Sequence, residues 1–407
     1  MKFSNVRGNE TMKDVVIVEG ARTPTGVFGG VFKDIAAQDL QAIVFKEVIR
    51  RTGIAVNLID ETIVGCSFHP SDAPNIGRVS ALMAGLPIKI PGSTVDVNCA
   101  SGLKALGNAL AAIRAGEAGI VLVGGVESMS NIPYLLKGAR FGYRLNHGQL
   151  TDMLWESLTD PICNQIMGRT AENLAEEFGI SRGDQDQFAL DSHKKAVSAI
   201  NGGNFDRETV PVPVKKKSRG KAGEEMICRD EGPNPHLTME QLAKYPPVFK
   251  KDGGTVTAGN ACGLNDGAAA VLVMSAEKAG ELGFKPRAYI RSQGWAGLEP
   301  HRMGLGPVYA VPKALEKAGV TLKDIDIIEL NEAFAVQALA CIRLLDLDRE
   351  KVNLNGGAIA LGHPVGCTGI KIVITLLHLM EKYDKTLGLA TMCVGGGLGG
   401  AIVLERK

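Results

Sequence analysis

The stretch VDVNCASGLKAL at 95–106 sets a thiol, Cys99, between an apolar strand-like run that ends at Asn98 and a helix-forming segment, 103–115, rich in Ala and Leu. That order predicts a sharp strand-to-helix turn with Cys99 beside the first free amides of the helix. Such amides favour an anion, so they are expected to lower the thiol pKa and supply thiolate. Ala100, Ser101 and Gly102 are small enough to let a substrate carbonyl approach the backbone. The same residues also fit a buried structural cysteine. Three glycine-framed stretches lie far downstream: NEAFA at 331–335, GGAIALGHPVGCTG at 356–369 and CVGGGLGG at 393–400. Taken with Cys99 they offer one thiol to carry an acyl group, an imidazole (His363) to activate it, a second thiol (Cys393) to move a proton, and amides to hold oxyanions.

These groups need a scaffold, and composition bounds it. The chain has 407 residues, 45% hydrophobic and 22% charged, with a net charge of +1. That length allows two or more domains, and the neutral balance argues against a nucleic-acid footprint. Eight cysteines are scattered without a C-x-x-C pair, so neither a structural zinc site nor a disulfide framework is expected, and a reducing compartment is. No apolar run is long enough to span a bilayer. Residues 1–13 are polar with both charge signs, unlike a signal or transit peptide, and Met12 offers an alternative start. The terminal Glu405-Arg406-Lys407 is not a peroxisomal address, which leaves the cytoplasm as the expected location.

Strand-like runs at 14–20, 59–65 and 119–124 alternate with helical patterns at 36–52, 79–84 and 103–115. The alternation predicts a mostly parallel sheet covered on both faces. The pattern then returns. IAVNLID at 54–60 aligns with VTLKDID at 320–326, and Gly53 with Gly319. An offset of about 266 residues brings the cysteine turn opposite GHPVGCTG, each followed by a helix and then by an apolar strand entering glycines. Two similar halves are therefore expected, with equivalent strand ends converging on one site. Residues 129–253 match neither copy and are too long for a connection, so they form an inserted domain or lid. They include helical pieces at 170–178 and 182–199 and a basic, hairpin-like run at 214–221, readable as a solvated loop or as a phosphate-binding or assembly element. The core-like segment 255–275 completes the first half. The division expected is 13–128 for the first half, 129–253 for the insertion, 254–284 for the returning part of the first half, and 285–407 for the second half.

Over essentially its whole length the chain resembles the thiolase family. The match runs, in the family's order, through VNCASG, GGVESMS at 124–130, TAGNACGLNDGAAA at 257–270, NEAFA, GHPVGCTG and CVGGGLGG. The resemblance implies a five-layered αβαβα fold of two duplicated halves, with the inserted loop domain over a coenzyme A site. It implies acetyl transfer between coenzyme A thioesters through an acyl-cysteine, with acetyl-CoA, acetoacetyl-CoA and CoA as ligands, no metal or other cofactor, and a homodimer or homotetramer. Cys99 resembles the acylated residue and His363 the base that activates it. Cys393 resembles the acid/base that takes the α-proton of the second acyl-CoA. Asn331 resembles the residue that orders a water beside His363 in one oxyanion hole, and the amides of Cys99 and Gly395 resemble the other. Met167, Phe249, Ala261, Cys262 and Phe334 resemble substrate-binding positions.

Three positions depart from the family's pattern. Ile166 stands where a histidine is frequent beside Met167, which bears on chain length. Cys262 replaces a serine that bonds the pantetheine arm, and a thiol donates more weakly. Asn234 replaces an arginine near the adenine, leaving the lysines at 215–221 as a substitute source of affinity. Competing readings fare less well. Gly395-x-Gly397-x-x-Gly400 matches a dinucleotide fingerprint, but strand-like AIVL follows rather than a crossover helix. A ketoacyl-carrier-protein synthase would pair its cysteine with two histidines, or a histidine and an asparagine, in place of His363 and Cys393. A silent scaffold would have lost one of Cys99, His363 or Cys393. A metal site at His363 and Cys367 lacks further ligands. The runner-up within the family is a degradative 3-ketoacyl-CoA thiolase of broader chain length.

Overall fold

A computed structural model describes residues 13–218 and 221–407, without the side chains of 216–222. The N-terminal extension with Met12, and the tip of the basic run at 219–220, lie outside the described residues. The first half runs β1 (Val15–Arg22), α1 (Ala37–Thr52), β2 (Glu61–Gly65), α2 (Ile76–Met83), β3 (Gly92–Val95), α3 (Ser101–Ala115) and β4 (Ile120–Ser128). The region after it carries α4 (Met167–Phe178) and α5 (Arg182–Asn201), followed by β5 (Asn265–Ser275). The second half runs β6 (Ala288–Gly297), α6 (Gly306–Ala318), β7 (Ile327–Leu330), α7 (Ala335–Leu345), α8 (Thr368–Lys382), β8 (Leu387–Val394) and β9 (Leu398–Glu405).

The duplication is visible in the strand order. In the first half β1–β5 and β5–β4 pair antiparallel, then β4–β2 and β2–β3 parallel. In the second half β6–β9 and β9–β8 pair antiparallel, β8–β7 parallel, and a parallel bridge joins Ile328 to Val352 where β3 would stand. The sheet is thus mixed, not mostly parallel as the alternation of elements suggested. In each half a late strand, β5 or β9, slots antiparallel between two earlier ones, and the β8–β9 link is a glycine turn that needs no crossover helix. The equivalent helices α1 and α6 both stop on a left-handed glycine, Gly53 (φ 64) and Gly319 (φ 70), a conformation that carries a steric penalty for other residues.

Alternation along the strands builds the layers. Val15 and Ile17 of β1, Val271 and Val273 of β5, and Ile402 and Leu404 of β9 face a central cluster with α3 and α8. Val16, Leu272 and Met274 face the opposite way, onto α1. Ala401, Val403 and Leu389 face α6 and α7. The result is five layers, α1/α2, first sheet, α3 with α8, second sheet, α6/α7, in which β1 and β6 pair at Val16–Tyr289 and Ile17–Ala288. α8 is apolar nearly all round, as burial between two sheets requires: Ile370, Val373, Leu376, Leu377 and Met380 are all within the core. Each such side chain contributes about 1.5–3 kcal/mol on burial. The inserted region adds three small hairpins. The basic run forms one of them, Val212–Ser218 against Lys221–Ile227. Among the described residues no helix is long and apolar enough to cross a membrane.

Candidate active site

Cys99 sits on the turn between β3 and α3, directly before the Ala100 cap of the helix. The turn is wound tightly: Asn98 adopts φ 47, and its carbonyl accepts from Ser101 Oγ at 2.7 Å and Ser67 Oγ at 2.6 Å. The Asn98 side chain crosses to the other half, donating to Gly395 O at 3.0 Å. The amides of Gly395 and of Cys99 itself hydrogen-bond toward the Cys99 sulfur. Burial opposes them and is the larger effect, so the thiol is raised above its ordinary value. The helix amides are present as expected, but the site does not supply a standing thiolate.

His363 lies in the loop before α8, 4% exposed. Its Nδ1 is 2.6 Å from Thr368 Oγ1, whose hydroxyl donates to Pro364 O at 2.9 Å. The threonine proton is spent on that carbonyl, so Nδ1 carries the imidazole proton and Nε2 keeps its lone pair. Nε2 is buried with no protein partner. Burial, helped by the Lys371 charge, pushes the imidazole down to about 3, so the ring is neutral and able to accept. Lys371 Nζ in turn caps the carbonyls of Leu361 and Gly362 at 2.7 and 2.9 Å and fixes the loop. Cys393, near the end of β8, is 1% exposed, and burial holds its thiol well above the ordinary range, with Cys99 as the largest charge contribution.

Cys99, His363 and Cys393 line one cavity of about 130 Å³, together with Met167, Phe249, Ala261, Cys262 and Phe334. Ile166 lines it as well. Ala261 pairs with Phe334 across a β-bridge, and Phe249 meets Phe334 edge-on at 6.4 Å, so these three side chains form one apolar wall. Asn331 and Gly395 are not in this lining. Asn331 is 1% exposed at the end of β7, with neither polar atom of its amide partnered. Gly395 lines an adjoining cleft of about 360 Å³ that also reaches Cys99, Met167, Leu158 and Ile162. A further cleft of about 240 Å³, with His193, Asn234, Tyr245 and Gly259 in its wall, shares Ala261 and Gly263 with the cysteine cavity. Lys215 lines neither and stands opposite Glu224 in its hairpin. Sequence reasoning missed the apolar residues Met129, Leu158, Leu264, Met303 and Val365 of the cysteine cavity. They come from loops and short 3-10 turns with no periodic pattern to mark them. Among the described residues no group of three or more His, Cys, Asp or Glu side chains could hold a metal.

Residues 15–277 match the family model described as thiolase, N-terminal domain, and residues 284–406 match thiolase, C-terminal domain. Acetyl-CoA acetyltransferase of Syntrophomonas wolfei is 48% identical over 398 residues, which is 97% of this chain and 99% of that one. The crystal structure of Bacillus anthracis acetyl-CoA acetyltransferase superposes with a TM-score of 0.94 at 45% identity, covering 98% of this chain and 100% of that one. Human mitochondrial 3-ketoacyl-CoA thiolase in complex with CoA gives 0.93 at 41% identity, covering 97% of this chain and 98% of that one. By its motifs, its duplicated fold and this similarity across nearly its whole length, the chain belongs to the thiolase family.

Proposed function

We propose that this thiolase is an acyltransferase of the acetyl-CoA acetyltransferase type, converting two acetyl-CoA to acetoacetyl-CoA and CoA reversibly, with no metal or redox cofactor. The observation that carries this reading is one small cavity that brings the thiols of Cys99 and Cys393, beside that of Cys262, together with an imidazole whose Nε2 has no protein partner. The Cys99 proton passes to His363 Nε2 and the thiolate attacks the acetyl carbonyl. Cys393 gives its proton to the departing CoA sulfur and is left as a thiolate, strongly basic because it is buried. That thiolate takes an α-proton from a second acetyl-CoA. His363 Nε2–H, with a water ordered by the unpartnered Asn331 amide, holds the enolate oxygen. The enolate carbon attacks the acetyl group on Cys99, the amides of Cys99 and Gly395 hold the oxyanion, and the Cys99 thiolate leaves.

Met167, Phe249, Ala261, Cys262 and Phe334 enclose the acyl end, and the cleft by Asn234 and His193 holds the CoA arm. The human relative described with CoA supports that ligand. With Cys262 a buried thiol, pushed up to about 12, the pantetheine is held more by shape than by a hydroxyl donor. We further assign the units 13–128, 129–253, 254–284 and 285–407, a homodimer or homotetramer, and a cytoplasmic location. Incubation with labelled acetyl-CoA, digestion and mapping tests the core of the proposal: label on Cys99, with acetoacetyl-CoA released, is expected. Acetyl found mainly on Cys66 or Cys262 would overturn it.

The cleft of about 360 Å³ that reaches Cys99 past Met167 favours a second reading, thiolysis of longer 3-ketoacyl-CoA. Each methylene that finds apolar wall is worth about 0.8 kcal/mol. The small volume of the cysteine cavity, about 130 Å³, nevertheless points to acetoacetyl-CoA as the best substrate, with five- and six-carbon homologues slower. A kcat/KM series that peaks at 3-ketooctanoyl-CoA or longer would transfer the conclusion to the degradative reading.

A further inference from the structure

We propose that Glu127 is a positioning residue that locks the Cys99 turn of the first half against the His363 loop of the second. Glu127 lies near the end of β4, 1% exposed, and lines none of the cavities that reach Cys99. Its two carboxylate oxygens gather donors from two separate segments, 66–68 in the first half and Gly366 in the second. Oε2 accepts from Ser67 N at 3.1 Å and from Gly366 N at 2.8 Å. Oε1 accepts from Phe68 N at 3.1 Å and from Cys66 Sγ at 3.6 Å. One arm leads to the nucleophile, since Ser67 Oγ holds the carbonyl of Asn98 next to Cys99. The other leads to the base, since Gly366 closes the short loop that begins at His363.

The halves meet here backbone to backbone. A Cβ on Gly102 or on Gly125 would stand 2.8 Å from Gly366 O, so no side chain can take over the joining. A carboxylate suits the place because both its oxygens accept. A glutamine of the same shape would turn an NH2 toward one pair of donors and leave them unmatched. The carboxylate is nevertheless costly in this position, with burial pushing it up to about 7 despite its hydrogen bonds. The thiols of Cys66, Cys99 and Cys367 all feel its charge. Such a group is retained where geometry is worth more than stability.

The inference rests on Cys99 and His363 as nucleophile and base. Its test reads their mutual placement without any acyl-CoA. In full-length Glu127→Gln the rate of Cys99 alkylation by iodoacetamide should fall at least about tenfold, as small misplacements of paired groups do, and its pH profile should move alkaline as the amides that lower the thiol lose their aim, whereas loss of the Glu127 charge alone would move it acid. The melting temperature should fall by only a few degrees, the cost of the unmatched donors, leaving the variant folded at the assay temperature. The kcat for acetoacetyl-CoA thiolysis should fall in parallel, with KM held within about twofold. A folded variant alkylated at the wild-type rate or faster, with a pH profile unmoved or moved acid, overturns the proposal. Should Glu127→Gln not fold, Ser67→Ala cuts the links from Ser67 Oγ to Asn98 O and to Ser101 Oγ, both on the Cys99 turn, and leaves the carboxylate and its amide donors in place. Slower alkylation is expected there, and the wild-type rate overturns the relay. If wild type turns over no acyl-CoA yet the variant still alkylates slowly, the acetyl-transfer reading fails while the positioning role stands.

Discussion

At Cys99 two main-chain amides and a dry surrounding pull the thiol in opposite directions, and burial wins. With His363 pushed down to about 3, the proton sits on sulfur and the thiolate–imidazolium pair is a transient. The sign is testable. A thiol raised above 9.0 deprotonates only on the alkaline side, so alkylation of Cys99 should keep climbing with pH through that value. A plateau beginning below neutrality would mean a resident ion pair. Cys393 is raised further still, which on the proposed mechanism makes it an acid at rest and a base only after its proton is given away. Cys393→Ala should therefore leave part of the acylation of Cys99 while α-proton exchange of acetyl-CoA falls about a hundredfold to ten-thousandfold. Exchange at the wild-type rate would remove Cys393 from that role. These candidates stood out in the sequence because Cys99 and Cys393 sit beside small residues at a strand end and His363 lies in a glycine-framed loop before a helix. Their protonation did not, because it depends on burial supplied by residues hundreds of positions away.

Most elements were legible for a plain reason: α1, α3, α8 and the strands β1, β4 and β5 are long runs with a clear period or continuous apolar character. Strand direction was not, since an apolar run reads the same in a parallel and an antiparallel pair. The duplication fared better because Gly53 and Gly319 mark equivalent helix ends. Helices α3 and α8 carry the sharpest constraint at this scale. Their starts touch so closely that a Cβ at Gly102 would lie 2.8 Å from Gly366 O and 3.2 Å from Ile370 N. Gly102→Ala should cost about 1–3 kcal/mol, read as a lowered denaturant midpoint with unchanged slope. An unaltered midpoint would mean the two helices can slide apart. The inserted region was the least legible, because Leu158, Ile166 and Met167 reach the cavity from short hairpins and a helix end rather than from a repeating face.

Two surfaces of the whole molecule are left open. β3 is the outermost strand of the sheet, with a free edge, and Phe141 and Leu145 are 92% and 88% exposed beyond the hairpin strand Tyr134–Leu136. Unpaired edges and apolar tips of this kind invite a second copy. Light scattering should therefore report a dimer or tetramer, and Phe141→Ser with Leu145→Ser should lower the assembly state while leaving acylation of Cys99 in place. A wild-type monomer would contradict this. The placement of β5 and β9 has a different bearing, on the order in which the molecule comes into being. Each is the last strand of its half to be translated, yet each belongs in the middle, between β1 and β4 or between β6 and β8. While the ribosome threads out the long insertion, the first sheet stands with a gap in its centre and the apolar faces of β1 and β4 uncovered. The second sheet repeats that exposure until β9 emerges. A nascent chain of this protein is thus vulnerable twice, and a chaperone that shields apolar strands has two distinct intervals in which to act.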